Sequence, residues 1–285
     1  MGEEKSSRDL ATIEKMPIVE KVDRKTKTAI VKIKGKKILR SHRRAKYILI
    51  DLLGGRTLII HQKISGDLLY GKWKVIDDKP VADMEGPIKT DSYNRFIRHI
   101  FYLSNGFMLG FSDVRRFGRI YLGDTDKVEN INEIGKLGPE PILTPSTRSH
   151  LVLTPRKFNE LMKKKRGVIK KILMDPFFIA GIGNIYADEI LWYAGISPLR
   201  KAEKLDEKEV VAIYRSIRLV LTKAIKAKGD SEQDYRTLEG DMGGYQDMQK
   251  AYQQTGKKCQ KKDGGIIKRV VISNRSAHFC PVHQK

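Results

Sequence analysis

The chain has 285 residues, and its 56 Lys and Arg side chains outnumber its 34 Asp and Glu side chains, giving a formal net charge of +22. This length allows two modest domains with real cores, and this charge is typical of a protein that binds a polyanion. No apolar run approaches membrane length, no export signal opens the chain, and only Cys259 and Cys280 are present, so we expect a cytoplasmic protein without a disulfide framework.

The N-terminal residues predict a helix followed by a strand. Residues 8–16 have helical spacing, with Leu10, Ile13 and Met16 on one side before Pro17 ends the helix. Residues 31–34 alternate apolar and basic side chains, which predicts a strand.

The rest of the first half has the pattern of antiparallel strands. Residues 47–52 and 56–60 flank Gly54 and Gly55, and Asn105 with Gly106 separates two apolar runs as a hairpin turn does. These features predict a small β-sandwich or barrel.

Helices are predicted to follow a turn-rich segment near residues 130–150, which is typical of a linker. Thr154 precedes Pro155 as a helix N-cap does, and Asp206 with Glu209 resembles a capping pair. The capping pair opens an amphipathic helix that closes at Gly229, and its apolar face comprises Val210, Ile213, Tyr214, Ile217, Leu221 and Ala224.

The segment 175–198 has the most informative local pattern. Gly181 and Gly183 leave room for another backbone to come close, and Asn184 is placed to cap the helix that follows. The N–H groups and positive dipole end of that helix suit a phosphodiester, although the same spacing also fits a tight loop between packed helices.

The last 30 residues return to a β pattern. Residues 266–267 and 270–272 lead to a turn at 273–275, and a return strand runs through Phe279.

Several of these segments together carry a family resemblance. They are residues 43–47 (RRAKY), 60–61 with 64–66 (IH, ISG), 113–118 (DVRRFG), 137–141 (LGPEP), 175–198 and 274–280 (NRSAHFC). Their order, from Lys36 onward, resembles the formamidopyrimidine-DNA glycosylase and endonuclease VIII family of base-excision repair enzymes.

The resemblance implies an α+β fold that clamps damaged duplex DNA between two domains. We expect an N-terminal antiparallel β-sandwich over residues 1–130, a linker over 131–150, a helix-two-turn-helix domain over 151–256, and a zinc-finger-like β-hairpin over 257–285. A monomer is the default for such a clamp. The enzyme must take its target base out of the stack, and wedge side chains help to offset that cost.

By position, the wedge is expected to comprise Arg115, Phe117 and Ile64. Relatives that act on oxidised purines usually have methionine where Ile64 stands, so an apolar filler is kept and its flexibility is lost. Tyr252 is expected to support the DNA-binding surface. The resemblance implies phosphate contacts at His61, Arg116, Lys170, Asn184 and Arg275.

The family's chemistry uses an amine that attacks the sugar C1′, releases the base and leaves an imine that β-elimination opens. The usual amine is an N-terminal proline followed by glutamate, whereas this chain begins Met1-Gly2-Glu3. Three explanations stay open. Removal of Met1 would expose the amine of Gly2 beside Glu3 as proton shuttle, the start of the chain is altered or truncated, or base excision is lost and DNA binding or lyase activity is retained.

Lys46 matches the family's second catalytic amine, on a strand next to Tyr47. Arg43 and Arg44 are expected to lower its pKa by like-charge repulsion, which would favour a role in elimination. Lys46 would support lyase chemistry even if Gly2 does nothing.

The C-terminal finger departs from the family's two Cys-x-x-Cys pairs. Cys259, Cys280 and His283 remain as zinc ligands, Lys262 stands where another cysteine is usual, and structural zinc takes four ligands. His278 or Asp263 would complete the set, but the sequence favours a hairpin that forms without metal. No cofactor is expected for the chemistry itself.

The sequence therefore predicts a DNA glycosylase with abasic-site lyase activity on oxidised bases. The alternative is a non-excising relative that binds abasic or distorted DNA. The loop 229–235 is the expected neighbour of the flipped base, and its polar composition does not identify the lesion.

Overall fold

The structure of the protein is a computed structural model that describes residues 13–15, 33–77, 79–144, 149–231 and 235–285. The strands are β1 (Ile13–Lys15), β2 (Ile38–Arg44), β3 (Tyr47–Leu52), β4 (Arg56–His61), β5 (Gly66–Gly71), β6 (Trp73–Ile76), β7 (Lys79–Ala82), β8 (Ile97–Leu103), β9 (Met108–Asp113), β10 (Arg119–Asp124), β11 (Lys268–Ile272) and β12 (Arg275–Phe279). The α-helices are α1 (Pro87–Thr90), α2 (Asn132–Gly135), α3 (Pro155–Lys163), α4 (Ile169–Leu173), α5 (Asn184–Ala194) and α6 (Glu207–Lys226). Short 3-10 helices span Ser92–Phe96, Thr125–Asn130, Ser149–Leu151, Ala202–Lys204 and Tyr245–Met248.

Two four-stranded sheets pack face to face in the N-terminal part, with strand orders β1-β8-β9-β5 and β10-β4-β3-β2. Their strand pairs are antiparallel. Ile50 and Ile60 of one sheet belong to the same buried cluster as Leu68, Phe101 and Phe111 of the other. This arrangement confirms the predicted β-sandwich and the α+β class.

The predicted turns between these strands are present. Gly54 and Gly55 have φ of +94° and +70° between β3 and β4, and Gly106 has φ of +77° between β8 and β9. Glycine takes these left-handed conformations without the steric cost that a side chain would add.

Two N-terminal predictions are wrong where the structure describes the residues. Ile13–Lys15 form β1 and pair with β8, so strand pairing overrides the helical spacing there, while the rest of the predicted helix lies outside the described residues. Ile33 begins a turn, not a strand, because the N–H of Lys36 donates to its carbonyl (3.1 Å). Val31 lies outside the described residues.

The helices of the C-terminal part begin where their caps predict. The Thr154 hydroxyl accepts from the N–H of Lys157 (3.2 Å) at the start of α3. Asp206 accepts from the N–H of Glu209 (2.8 Å), and the Glu209 side chain accepts from the N–H of Asp206 (2.9 Å), which completes the capping box of α6. The apolar face of α6, including Ile213, then packs in the helical core as predicted.

The C-terminal hairpin also forms where the sequence predicts it. β11 and β12 pair antiparallel, and Ser273 and Asn274 between them have φ of 49° and 61°. Two successive left-handed residues give a turn whose twist matches that of the strands. Arg275 is therefore the first residue of the return strand.

The chain forms two compact units. The β unit comprises Met1–Gly135 with Ser231–Gly243, and the helical unit comprises Lys136–Asp230 with Gly244–Lys285. Across the described residues, no helix is long and apolar enough to cross a membrane.

The segment Ser231–Gly243 was placed by sequence in the helical domain, but it packs with the β unit. The carbonyl of Leu238 accepts from the N–H of Tyr70 (2.6 Å), and the guanidinium of Arg236 lies over the ring of Tyr93 (5.1 Å). Hydrogen bonding to strand β5 thus holds this segment in the β unit, and the sequence pattern of the segment does not show this partner.

Part of the predicted linker packs into the helical unit. The N–H of Gly138 donates to the carbonyl oxygen of Pro176 (2.9 Å), and the N–H of Ala180 donates to the carbonyl oxygen of Pro139 (3.0 Å). A Cβ on Gly138 would lie 2.5 Å from the carbonyl oxygen of Phe178, so glycine is required for this approach. These contacts fix the loop that leads into α5.

Candidate functional site

The three predicted wedge residues lie in two adjacent loops of the β unit. Ile64 lies between β4 and β5, and Arg115 and Phe117 lie between β9 and β10. Gly66 pairs with Asp113 across β5 and β9, which brings the two loops side by side. Ile64 is 54% exposed and Phe117 is 50% exposed, so neither is the strand core residue that a simpler interpretation would make it.

A buried carboxylate joins these loops. The Ser65 hydroxyl donates to Asp113 Oδ1 (2.7 Å) and accepts from the N–H of Arg115 (3.0 Å), while Asp113 Oδ2 accepts from the N–H of Gly118 (2.7 Å). Ser65 and Asp113 are 3% and 2% exposed. Since hydrogen bonds to a charged group are among the stronger ones, they fix the backbone on both sides of the wedge. We call these residues, 64–66 and 113–118, the wedge platform.

The ring of Phe111 packs against the two loops of the wedge platform. A Cβ on Gly118 would lie 2.5 Å from this ring, and a Cβ on Gly66 would lie 2.8 Å from it and 2.5 Å from the carbonyl oxygen of Gln62. Both glycines are therefore needed for the loops to approach the ring.

Two arginines place positive charge at the wedge platform, Arg116 within it and Arg98 next to it. Arg116 is exposed and has φ of 58°, and Arg98 donates to the carbonyl of Asp113 (3.2 Å). Burial lowers the pKa of Arg98, the charge of Arg116 lowers it further, and Asp113 opposes the shift. A bound anion such as a phosphate would relieve this repulsion.

Lys46 lies in the two-residue turn between β2 and β3, and not on a strand as predicted. Ala45 before it has φ of 51°, which makes the tight turn, and Lys46 is exposed. Tyr47 follows on β3 and pairs with His61 of β4, with ring centroids 4.5 Å apart in an edge arrangement. Lys46 is thus close enough to His61 for its charge to act on the imidazole.

His61 is held as a neutral hydrogen-bond donor. Its Nδ1 accepts from the N–H of Lys63 (2.9 Å), which leaves the proton on Nε2. Burial, followed by the charges of Lys63 and Lys46, lowers the pKa of His61 to about 4. At neutral pH its Nε2–H can donate to a phosphate oxygen, as the predicted contact requires.

The depressed pKa of His61 predicts a pH-dependent loss of stability. The unfolded chain takes up a proton at His61 near pH 6.5 and the folded protein only near pH 4, so this stability is present above pH 6.5 and is lost as the pH falls to 4. Urea unfolding at both ends of this window should show that wild type loses more stability than His61→Gln, by on the order of 1–2 kcal/mol after allowance for solvent screening. Burial also lowers the pKa of His99, but that residue is present in both proteins and cancels. Equal losses would contradict the assignment.

In the helical unit, α5 begins at Asn184, and Gly183 is its N-cap. The prediction that Asn184 caps the helix is therefore wrong, because Gly183 occupies the cap position and no side-chain cap bond forms. Gly181 before it has φ of +90°. Asn184 Oδ1 is buried and accepts no hydrogen bond within the described residues, while the N–H groups of the first turn are those that suit an anion.

Lys170 of α4 is buried, which does not fit the predicted direct phosphate contact. It is 1% exposed, and its Nζ lies 2.6 Å from Asp188 Oδ1 and donates to the carbonyl of Ser276 (2.5 Å). Both partners lie inside the helical unit, so the ammonium is turned away from solvent.

Tyr252 is positioned by a second buried carboxylate. Glu189 of α5 is fully buried and accepts from the backbone N–H groups of Lys250, Ala251 and Tyr252, at 2.8 to 3.1 Å. Burial raises the pKa of Glu189 despite these three donors. The Tyr252 ring meets the ring of His278 edge-on, with centroids 5.1 Å apart. Tyr252 and the finger hairpin are thereby fixed to the same helix.

The finger brings four ligand-type side chains together. The ligand atoms of Cys259, Asp263, Cys280 and His283 all lie within 4.8 Å of one another. His283 Nδ1 is 3.5 Å from Cys259 Sγ and 2.8 Å from an Asp263 oxygen, and that oxygen is 3.5 Å from Cys280 Sγ. His283 Nε2 lies 3.1 Å from the carbonyl of Trp192, so it carries the proton and leaves Nδ1 as a ligand. This group can bind zinc.

Asp263, and not His278, lies in this group as the fourth ligand-type side chain, a choice that the sequence left open. His278 instead donates its N–H to Asp188 (2.9 Å) and places its Nδ1 3.1 Å from the same oxygen. The four side chains thus form a group that can bind a metal, whereas the sequence favoured a hairpin that forms without one.

Gly2 and Glu3, the predicted nucleophile and proton shuttle, lie outside the described residues.

Comparison with known proteins decides the family. The formamidopyrimidine-DNA glycosylase N-terminal domain matches residues 7–120, and the H2TH domain of the same enzyme matches residues 137–236. The formamidopyrimidine-DNA glycosylase of Pelotomaculum thermopropionicum is 38% identical over 253 residues, which cover 89% of this chain and 83% of that protein. The chain belongs to the formamidopyrimidine-DNA glycosylase family. A second glycosylase of this name, from Desulforamulus reducens, is 36% identical over 85% of the chain and 79% of that protein.

Solved structures of the family agree with the fold. The Lactococcus lactis Fpg in complex with abasic-site DNA has a TM-score of 0.79 and 27% identity, covering 96% of this chain and 93% of that one. A mutant of the same protein bound to Fapy-dG DNA has a TM-score of 0.79 and 28% identity, with the same coverage.

Several residues of the site could not be identified from the sequence of this family member alone. Ser65, Arg98 and Glu189 act through buried contacts with partners that are distant in sequence. The one available signal was the pair Asp188 and Glu189 inside an otherwise apolar helix, since adjacent buried acids require specific partners.

Proposed function

We propose that this protein excises oxidised bases, of the formamidopyrimidine or 8-oxoguanine type, from duplex DNA and then cleaves the strand at the abasic site. The observation that carries the proposal is the wedge platform, in which Ile64, Arg115 and Phe117 are exposed on a backbone that Ser65 and Asp113 hold rigid. An exposed apolar and cationic group on a rigid base suits the space left by an extruded nucleotide. Relatives crystallised with abasic and Fapy-dG DNA support this class of substrate.

Phosphate groups are proposed to contact hydrogen-bond donors on each unit. In the β unit these are Arg116 and the Nε2–H of His61. In the helical unit they are the first turn of α5, with Asn184, and Arg275 at the start of β12. Contacts of this kind hold a duplex in register without reading its sequence.

The α-amine of Gly2, exposed by removal of Met1, is proposed as the nucleophile. Its lone pair attacks C1′, the bond from C1′ to the base breaks, and the base leaves with a proton from Glu3. A terminal amine has a pKa of about 8, so a useful fraction is unprotonated at neutral pH.

Lys46 is proposed to assist the elimination that follows. The sugar ring then opens as the C1′–O4′ bond breaks, O4′ takes up a proton and the nitrogen forms an imine with C1′. The imine acidifies the neighbouring C2′–H, and loss of that proton expels the 3′-phosphate as the C3′–O bond breaks. The side chain of Lys46 is exposed, in a turn whose other residue, Ala45, is buried, and its charge acts on neutral His61.

Borohydride trapping on a duplex with one abasic site, followed by peptide mass mapping, tests the chemistry. An adduct on Gly2 is expected, because reduction converts the imine into a stable amine. An adduct on Lys46 alone would indicate a lyase without base excision. Tight binding with no adduct would support the second candidate, a non-excising binder of abasic or distorted DNA.

The wedge is tested by Phe117→Ala. Because stacking of an aromatic ring on a base is worth roughly 1–3 kcal/mol, we expect binding to a tetrahydrofuran abasic-analogue duplex to weaken about 10-fold. Binding to an intact duplex should change by less than about 3-fold, as fluorescence anisotropy would measure.

Phe177→Ala is the matched control. Phe177 is 57% exposed, similar to Phe117, and belongs to the helical unit, whereas the wedge platform belongs to the β unit. Its removal should not alter the preference for abasic DNA. An equal loss of affinity for both duplexes in Phe117→Ala would show that this ring is not a wedge.

Zinc is proposed to bind Cys259, Asp263, Cys280 and His283. Tetrahedral zinc with ordinary Zn–S, Zn–N and Zn–O bonds spaces its ligands about 3.3–3.8 Å apart, close to the sulfur contacts described above. A Cβ on Gly265 would lie 2.3 Å from Cys280 Sγ and 2.9 Å from Asp263, so glycine is required beside the cluster. The ion would be structural and would tie the two ends of the finger together.

A further inference from the structure

A buried ionic network of the helical unit has no part in the chemistry described above. Lys170, Asp188 and His278 are 1%, 0% and 5% exposed and come from α4, α5 and β12. Asp188 uses Oδ1 for Lys170 (2.6 Å) and Oδ2 for the N–H and Nδ1 of His278 (2.9 and 3.1 Å). A charge is rarely buried so completely unless its partners are fixed, so this network holds three elements in one arrangement.

The network binds the backbone of β12. Lys170 Nζ binds the carbonyl of Ser276, and Asp188 binds the N–H of His278, two residues further along the strand. Arg275 immediately precedes the bound segment and is exposed after the turn Ser273 to Asn274. Strand β12 therefore cannot shift along α5 without breaking charged hydrogen bonds. These bonds also fix the backbone next to Arg275, and so the position from which its side chain extends.

Electrostatic contacts connect the network with Arg275. Burial lowers the pKa of Lys170, Asp188 opposes that shift, and the charge of Arg275 adds to the lowering. The charge of Asp188 thus offsets the positive charges of Lys170 and Arg275. Glu189, the next residue of α5, holds the backbone of Tyr252 in the same way.

We propose that Lys170 and Asp188 are positioning residues for DNA binding: they dock β12 on α5 so that Arg275 is presented to a backbone phosphate. This inference rests on the proposed function, because it requires that the finger contacts DNA. The positioning role takes the place of the direct phosphate contact that was predicted for Lys170.

A double-mutant cycle separates positioning from direct contact. The dissociation constant for a tetrahydrofuran-containing duplex is measured over a salt series for Lys170→Met, Arg275→Ala and the double variant, at a temperature where circular dichroism shows all to be folded. We expect Lys170→Met to weaken binding about 10-fold, and the double variant to bind within about 2-fold of Arg275→Ala. The slope of the logarithm of the binding constant against the logarithm of salt concentration should become shallower by about 0.9 in the double variant, because one phosphate contact is lost. Additive losses and a slope reduced by about 1.8 would overturn the proposal, since each residue would then bind its own phosphate.

Asp188→Asn gives an independent test by the sign of its effect. Removing a negative charge should strengthen the binding of DNA if charge alone matters, whereas lost positioning should weaken it, by about 5- to 10-fold. Tighter binding would overturn the proposal. Lys171→Met removes the same charge as Lys170→Met from the exposed neighbouring residue and should change affinity by less than about 3-fold.

The cycle also distinguishes this inference from the proposed function. If the wild-type protein binds abasic and intact duplexes equally and leaves no trapped adduct, the glycosylase assignment fails. The cycle can still be carried out on the intact duplex and reports only on the docking of β12.

Discussion

Lys170→Met is expected to lower the free energy of unfolding of the helical unit by about 3 kcal/mol, or on the order of 10 °C in melting temperature. The methionine fills a similar volume, so the loss comes from Asp188, a fully buried carboxylate left without its cation. The hydrogen bonds from His278 to Asp188 remain and keep the loss near the lower end of the range for a broken buried pair. Urea unfolding followed by circular dichroism measures it.

The comparison with a neutral pair isolates the electrostatic part of this loss. In Lys170→Met combined with Asp188→Asn, the asparagine oxygen still accepts from the N–H of His278 and no unpaired charge is buried, so at least about half of the lost stability should return. Lys171→Met, on the exposed side of α4, should change stability by less than about 0.5 kcal/mol. A loss below about 1 kcal/mol for Lys170→Met would mean that the buried pair does not form in solution.

The fold was predictable from sequence where local chemistry decides the structure. The turns at Gly54 and Gly106 and the capping box of Asp206 with Glu209 form as predicted, because their hydrogen bonds and φ angles depend on residues within a few positions. The failures have the opposite character. Ile13–Lys15 become a strand because β8 is available to pair with them, and no local spacing reveals that partner.

The site was predictable as a set of positions, but not as a set of roles. The exposure of Ile64 and Phe117 fits the predicted wedge, yet the Ser65 to Asp113 hydrogen bond that makes it rigid joins residues 48 positions apart. Lys170 was predicted to contact a phosphate because its position matches one in the family that the chain resembles. Its partners, Asp188 and Ser276, lie 18 and 106 residues away, so only the three-dimensional structure identifies it as buried.

The two buried acids of α5 hold different elements of the helical unit. Asp188 and Glu189 are both fully buried, and one binds Lys170 while the other binds three backbone N–H groups. Adjacent residues of a helix point about 100° apart, so the two carboxylates reach different elements. One helix thus fixes both the strand that carries Arg275 and the loop that carries Tyr252.

The zinc site predicts the other large effect. The purified protein should contain about one zinc per chain, and its removal by a chelator should unfold the finger, because the free energy of zinc binding in small finger domains is on the order of 10 kcal/mol and acts on the folded state alone. Asp263→Ala removes one of four ligands and should weaken zinc binding at least about 100-fold in competition with a chromophoric chelator.

Asp263→Cys should retain zinc and restore the thermal stability that Asp263→Ala loses, because a thiolate is a better zinc ligand than a carboxylate. Lys262→Ala, at the exposed neighbouring residue where the family usually has a cysteine, serves as the matched control and should leave zinc affinity unchanged. If the wild-type protein contains no zinc and its melting temperature does not respond to added zinc, the four side chains form a hydrogen-bonded cluster only.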